Sequence, residues 1–298
     1  MDTTGKDPVR YFDVEKNEII KNYYSWMQKT LKKINEGRNF TINEYVFVMA
    51  NPCILDSLKK SDYYDLKERG IKSIDPKEYT FIEKGSRLIV PDSLLTMQYM
   101  KDIQNTRLVL NIPEFTLRIY RYDVLADSFR VRVGKNETKF LAMAGREIDL
   151  RTKTGTGKIV AINKKPVFTN PVDNKKYKGT YRDDRVLTKL PNIPWLETEI
   201  NGIRNGQMIH PTTNLETIGK PISNGCIGLR EKDAWSVYFY APVGTKIDII
   251  YQLRVKDKEG QEIRLPDIYE GYKKHKPKSN TLTRSEPTRI QTLCYCGA

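Results

Sequence analysis

Residues 207–229 read QMIHPTTNLETIGKPISNGCIGL, and the reading of this stretch decides the rest of the chain. A short apolar run ends at His210 and Pro211. A polar connection follows, and Cys226 stands between Gly225 and a second apolar run. Fifteen residues separate the imidazole from the thiol. The other histidine, His275, lies in YKKHKPK, a cationic solvated stretch that suits neither a base nor a metal. That leaves His210 as the imidazole available to Cys226. Taken alone, a Cys beside Gly and Ile is usually an inert buried residue, and a His on a short strand is usually hydrogen-bonded core. The pair is more informative than either member.

A thiol attacks carbonyls as its thiolate, and free Cys sits near pKa ~8.5, so its surroundings must favour the charge. Gly225 permits a tight turn and close approach of a carbonyl. Backbone N–H groups of Asn224, Gly225 and Cys226 can point together at an oxyanion. Ser223 can set the turn by a local hydrogen bond. The run after Cys226 leads into EKDAWSVYFYA (231–241), read as a helix with Ala234, Val237, Tyr238 and Ala241 inward, whose N-terminal dipole favours a nearby thiolate.

Outward from this stretch, the chain upstream reads as short strands: TRLVLNIP (106–113), FTLRIYRYD (115–123), SFRVRVGK (128–135), KFLAMAG (139–145) and GKIVAIN (157–163). The turn-rich segment 165–195, with Pro166, Pro171, Pro191 and Pro194, is long enough to be read as a lid. PVGTKIDIIY (242–251) reads as a closing turn and strand. The N-terminal part has a different character. Apolar residues at helical spacing over 13–38 (Ile19, Ile20, Tyr23, Tyr24, Met27, Leu31, Ile34) end at Gly37, a second helix is expected over 43–70 with a break near NPC, and 78–91 alternates up to Pro91 with a turn at Gly85. The expected division is an N-terminal α/β module over 1–104, a mainly β domain over 105–253 and a basic surface tail over 254–298.

Of the 298 residues, 39% are hydrophobic and 30% charged, which fits a folded chain rather than a disordered one. The formal charge of +14 is spread along the chain with acids between the bases. With no zinc-finger spacing and no RNP-type aromatic motif, we read it as envelope or solubility charge and expect no nucleic-acid partner. No run approaches the roughly 20 apolar residues of a membrane span. The opening MDTTGKDPVRYF has no apolar h-region, so no signal peptide is expected in it. Cys53, Cys226, Cys294 and Cys296 make neither a disulfide scaffold nor a zinc set, and no metal or cofactor is expected.

The spacing from His210 to SNGCIGL resembles the signature of YkuD-type L,D-transpeptidases, in which a His is followed, after a comparable gap, by Ser/Thr-x-Gly-Cys. Residues 106–123 are similar to the opening strand pair of that catalytic domain, TKTGTGK (152–158) to a later strand start and APVGTKIDII (241–250) to its closing strand. IEKGSRLIVPDSLL (82–95) resembles, more weakly, the end of a LysM-like wall-binding module. The resemblance implies a β-sandwich catalytic domain with Cys226 as nucleophile and His210 as general base and acid. It also implies an oxyanion hole from the backbone of Asn224, Gly225 and Cys226, and substrate contacts from Ser223 and Arg230.

The reaction implied is acyl transfer on peptidoglycan stem peptides through a Cys thioester. It either cross-links the third residues of two stems or attaches an envelope lipoprotein, with a carbapenem as covalent inhibitor and the periplasm or cell envelope as location. The alternatives are an L,D-carboxypeptidase or endopeptidase on the same stems, and an inactive wall-binding protein. Three positions depart from the family pattern: Asn224 where His is common, Gly228 where Arg or Asn is usual, and Pro211 in place of the Gly of H-G-T.

Overall fold

The computed structural model describes residues 10–71, 75–257 and 259–270. His275, Cys294, Cys296 and the rest of the basic tail lie outside them. The chain divides into two compact units, with the boundary between Gln104 and Asn105.

In the first unit the helix expected over 13–38 is shorter, Tyr23–Asn35, and its buried face is Tyr23, Trp26, Met27, Thr30 and Ile34. Residues ahead of it form strands instead. Arg10–Asp13 pairs antiparallel with Arg87–Val90, and Glu18–Ile19 with Thr80–Ile82. Helical periodicity was visible there, but the ladders to 80–90 override it. The expected second helix is three helices, Glu44–Ala50, Pro52–Lys59 and Tyr63–Glu68. Pro52 disfavours helical backbone at Asn51. The Asn51 side chain instead accepts from the Ile89 N–H at 2.7 Å and donates to its carbonyl at 2.9 Å. The second break comes at Asp62, whose carboxylate accepts from the N–H groups of Tyr64 and Asp65 and starts a new helix. A further helix, Ser93–Gln104, was not read from the sequence.

The second unit is mainly β, as expected. Its principal sheet has nine strands: β1 (Thr106–Asn111), β2 (Thr116–Arg121), β3 (Val124–Gly134), β4 (Gly155–Asn163), β5 (Trp195–Ile200), β6 (Met208–Pro211), β7 (Pro221–Ser223), β8 (Ile227–Leu229) and β9 (Lys246–Ile250). The order is β7-β3-β8-β6-β5-β4-β9-β1-β2, and β3 also pairs with β2. The sandwich expected from the sequence is thus one sheet closed on itself through β3. That strand starts four residues earlier than read. Tyr122 and Asp123 both have positive φ (50° and 60°), the geometry of a tight hairpin turn, so β2 runs straight back into β3. Residues 116–121 of β2 pair with the first half of β3, while Val131 and Arg132 pair with β8. Leu108, Leu110, Leu117, Ile119, Val131, Val133, Ile159, Leu196, Ile209, Ile227, Leu229, Ile247 and Ile249 fill the core.

α1 (Glu231–Tyr240) follows β8 directly, with Ala234, Val237, Tyr238 and Ala241 buried as read. At its first residue Glu231 (side chain 4% exposed) accepts from Arg182 (0%) at 2.7 Å. This pair pins the segment expected to be a lid. That segment carries its own hairpin, Gly179–Tyr181 with Leu187–Lys189, and Asp183 accepts from the N–H groups of Leu215 and Glu216 in the β6–β7 connection. Removing one partner of a buried ion pair typically costs about 3–5 kcal/mol, a large part of the usual 5–15 kcal/mol of a domain. Arg182→Met is therefore expected to lower the melting temperature by about 10 °C. The double variant Arg182→Met/Glu231→Leu should recover most of that in a thermal melt, and equal loss in single and double variants would show that the pair is not what holds the segment.

The stretch expected to run over the surface after 253 contains a hairpin, Arg254–Lys256 with Glu262–Arg264, and then one residue that does not fit that expectation: Tyr269 is fully buried. Among the described residues no helix is long and apolar enough to cross a membrane.

Candidate active site

Three adjacent strands carry the site on one rung. His210 of β6 pairs with Gly228 of β8, and Gly228 pairs with Arg132 of β3. On every strand the neighbours of these residues are core: Ile209 and Pro211, Ile227 and Leu229, Val131 and Val133. Alternation therefore turns His210, Gly228 and Arg132 to the opposite face. Cys226 stands one residue before β8, with a backbone hydrogen bond from Met208 and within reach of the charge of Arg132. Cys226 and His210 are both half-buried, so neither is sealed in the interior.

The turn that presents the sulfur is held from several sides. Gly225 has φ 102°, a conformation that favours glycine. The Ser223 hydroxyl donates to the Cys226 carbonyl at 2.6 Å, which closes the turn, so Ser223 shapes the Cys226 loop directly. Thr152, which is fully buried, donates to the Gly225 carbonyl at 3.1 Å and accepts from the Gly134 N–H at 2.8 Å. The hydroxyl of Tyr269 donates to the Gly134 carbonyl and accepts from the Thr152 N–H. A residue from the far end of the described chain thus braces the strand beneath the Cys226 turn.

His210 is held by its own backbone and by an aromatic stack. Its Nδ1 lies 2.8 Å from the Pro211 carbonyl. A carbonyl only accepts, so Nδ1 carries the proton and Nε2 keeps its lone pair. The replacement of Gly by Pro at 211 leaves this carbonyl in place. Trp195, at the start of β5, stacks on the imidazole with centroids 4.7 Å apart, and Phe168 meets the indole edge-on at 5.0 Å. Residues 165–195 therefore supply a wall behind the His210 imidazole.

The electrostatics are those of a neutral pair at rest. Burial, and then the charge of Arg132, push His210 down to about 4, against the Pro211 hydrogen bond. Burial pushes the Cys226 thiol up, while a backbone hydrogen bond from Met208 and the charge of Arg132 pull it back. An imidazole that is already neutral can take the thiol proton as attack proceeds. The acid limb of any Cys226 acylation rate is accordingly expected near pH 4 to 5, because His210 loses its lone pair only as pH falls through its lowered value. A limb centred at 6.5, the ordinary histidine value, would contradict this.

Arg132, Trp195, Phe168, Thr152 and Tyr269 were not read as site residues. Arg230, expected to reach substrate, stands at the residue preceding α1. The guanidinium that lies across Gly228 belongs to Arg132. A Cβ at Gly228 would meet Arg132 Nε at 2.5 Å and Cγ at 2.7 Å, so the small residue at 228 clears the path of that side chain. The signal for it lay only in cross-strand register. Among the described residues no cluster of His, Cys, Asp and Glu is arranged to hold a metal ion.

Residues 105–249 match the YkuD family, described as the L,D-transpeptidase catalytic domain. The chain is 26% identical over 143 residues to the putative L,D-transpeptidase YkuD of Bacillus licheniformis, covering 48% of this chain and 64% of that protein. It is 28% identical over 185 residues to the probable L,D-transpeptidase ErfK/SrfK of Escherichia coli, covering 60% and 54%. The match thus spans between half and two thirds of these relatives' length. Among solved structures, an L,D-transpeptidase from Xylanimonas cellulosilytica aligns with a TM-score of 0.36 at 11% identity, covering 82% of this chain and all of that one. The L,D-transpeptidase LdtMt1 in complex with imipenem aligns with a TM-score of 0.34 at 15% identity, covering 49% and 59%.

Proposed function

We propose that the YkuD-type L,D-transpeptidase catalytic domain formed by residues 105–249 transfers acyl groups between peptidoglycan stem peptides, with Cys226 as nucleophile and His210 as its base. The observation that carries this reading is the shared face of β6 and β8. It sets His210 on the rung of Gly228, two residues after the half-buried Cys226, with the imidazole Nδ1 tied to the Pro211 carbonyl and Nε2 left as the accepting nitrogen.

His210 Nε2 takes the thiol proton while Cys226 Sγ bonds to the carbonyl carbon of the donor stem's third residue. The carbonyl oxygen becomes an oxyanion, received by the backbone N–H groups of the Asn224–Cys226 turn. The carbon–nitrogen bond then breaks, His210 returns its proton to the departing amine of the terminal D-residue, and a thioester remains on Cys226. In the second half the side-chain amine of an acceptor stem, or of an envelope lipoprotein, attacks the thioester and His210 takes its proton. The new amide forms as sulfur leaves. No cofactor enters this sequence. Location at the cell envelope follows from the substrate. Trp195 and Phe168 exclude water from one side of the base, which favours an amine acceptor over hydrolysis.

Product analysis tests this directly. Incubation with a disaccharide-tetrapeptide is expected to yield cross-linked dimer and released D-alanine. Tripeptide alone would show a carboxypeptidase, and unchanged substrate would show a wall-binding protein without activity.

A further inference from the structure

We propose that Arg132 is the carboxylate-recognising residue of this site, and that the peptide attacked by Cys226 carries a carboxylate which its guanidinium receives. The inference deepens the reading above by naming a recognised group of that substrate.

Four observations support it. The register puts Arg132 on the rung of His210 and of Gly228, two residues after Cys226, and its charge acts on the Cys226 thiol. Gly228 is the one residue between Arg132 and His210 on that rung, and a Cβ there would collide with the guanidinium stem, so the sequence keeps a channel open for this arginine. Its polar contact from protein is a 3.3 Å bond from Nη1 to the Thr217 hydroxyl, and its buried Nε has no hydrogen-bond partner. No carboxylate of the described residues lies within ion-pair distance of it. The contrast with the two most deeply buried arginines is plain, because Arg118 and Arg182 each have a glutamate. A guanidinium is planar and matches a carboxylate in a two-bond fork. One left without an anion beside a nucleophile is poised to take the anion from substrate. Of the cations nearby, Arg151 and Lys153 pair with Asp149, and Lys135 with Glu137. His210, held neutral, does not compete.

The test compares two alkylating reagents that differ by one carboxylate. Iodoacetate and iodoacetamide react with the same thiolate, so the ratio of their rates at Cys226 cancels thiol pKa and nucleophilicity and reads local recognition of the anion. Modification is followed by mass spectrometry of the Cys226 peptide, which separates it from Cys53. In the unaltered protein the ratio is expected to exceed that of a free thiol by about tenfold or more. Arg132→Gln should return it to the free-thiol value, and Arg132→Lys should restore it in part. Gly228→Ala keeps every charge but displaces the guanidinium, and should lower the ratio too, which guards against a misfolded Arg132 variant. A ratio unchanged from the unaltered protein in both Arg132→Gln and Gly228→Ala overturns the proposal. Alkylation requires no stem peptide, so absence of turnover on stem peptides would count against the reaction proposed above and leave this result intact.

Discussion

Cys226→Ala abolishes covalent capture of a stem peptide and of a β-lactam, to below detection. The reason is stoichiometric. The proposed reaction passes through a carbon–sulfur bond, and the other described cysteine, Cys53, belongs to the first compact unit, on the helix Pro52–Lys59. Alanine conserves the turn, because the bonds that shape it go to backbone atoms: Ser223 to the carbonyl of residue 226 and Thr152 to the carbonyl of Gly225. The variant should therefore fold normally, with a melting temperature within a few degrees of the unaltered protein, and bind donor without turning it over. Residual product from this variant would mean that the nucleophile has been misassigned. Cys53→Ser provides the control and should leave turnover intact.

His210→Ala slows acylation by about 10²–10⁴-fold, the usual contribution of a positioned general base. The effect falls on the rate rather than on binding, because the imidazole moves a proton and its neutral form carries no charge to attract substrate. The chemistry also predicts a change in pH dependence. With the base gone, attack needs thiolate formed in advance, and burial raises the Cys226 pKa. The rate of the variant should then climb steadily with pH from 7 upward, where the unaltered protein is flatter. A reduction below tenfold, or an unaltered profile, would show that His210 does not act as the base. Loss of the stack on Trp195 is a separate consequence and would appear as altered indole fluorescence.

Much of this site is legible in the sequence because its central elements are local. The thiol, its glycine and the serine that closes the turn lie within four residues. His210 sits on a short strand that the apolar pattern Met208–Ile209 marks out. The strands β1, β2, β4 and β9 follow from alternation, and α1 from the spacing of Ala234, Val237, Tyr238 and Ala241. What alternation cannot give is which strand neighbours which. Arg132 sits in VRV, where any reader places it outward, yet only the antiparallel pairing of β3 with β8 turns it toward Cys226. Gly228 reads as a missing side chain in the sequence and as cleared space in the structure.

The same limit applies to Trp195, which stacks on His210, and to Phe168, which packs on Trp195; both belong to a segment whose turn residues concealed a hairpin and a buried ion pair. Tyr269 is more remote still. It lies in a polar, basic stretch whose composition suggests only surface, and its hydroxyl is held by the backbone of Gly134 and Thr152, over a hundred positions earlier. In the first unit the break at Asn51 was readable from Pro52. The break at Asp62 was also written in the sequence, as an N-cap ahead of YYD, but the longer periodic pattern masked it.

The most direct measurement is the intact mass of the protein after exposure to a disaccharide-tetrapeptide and, separately, to a carbapenem, followed by peptide mapping. The account predicts a mass gain equal to the donor less its terminal D-alanine in the first case and to the intact carbapenem in the second, each on the peptide containing Cys226. A protein that keeps its unmodified mass in both, or that carries the adduct on another residue, would contradict it.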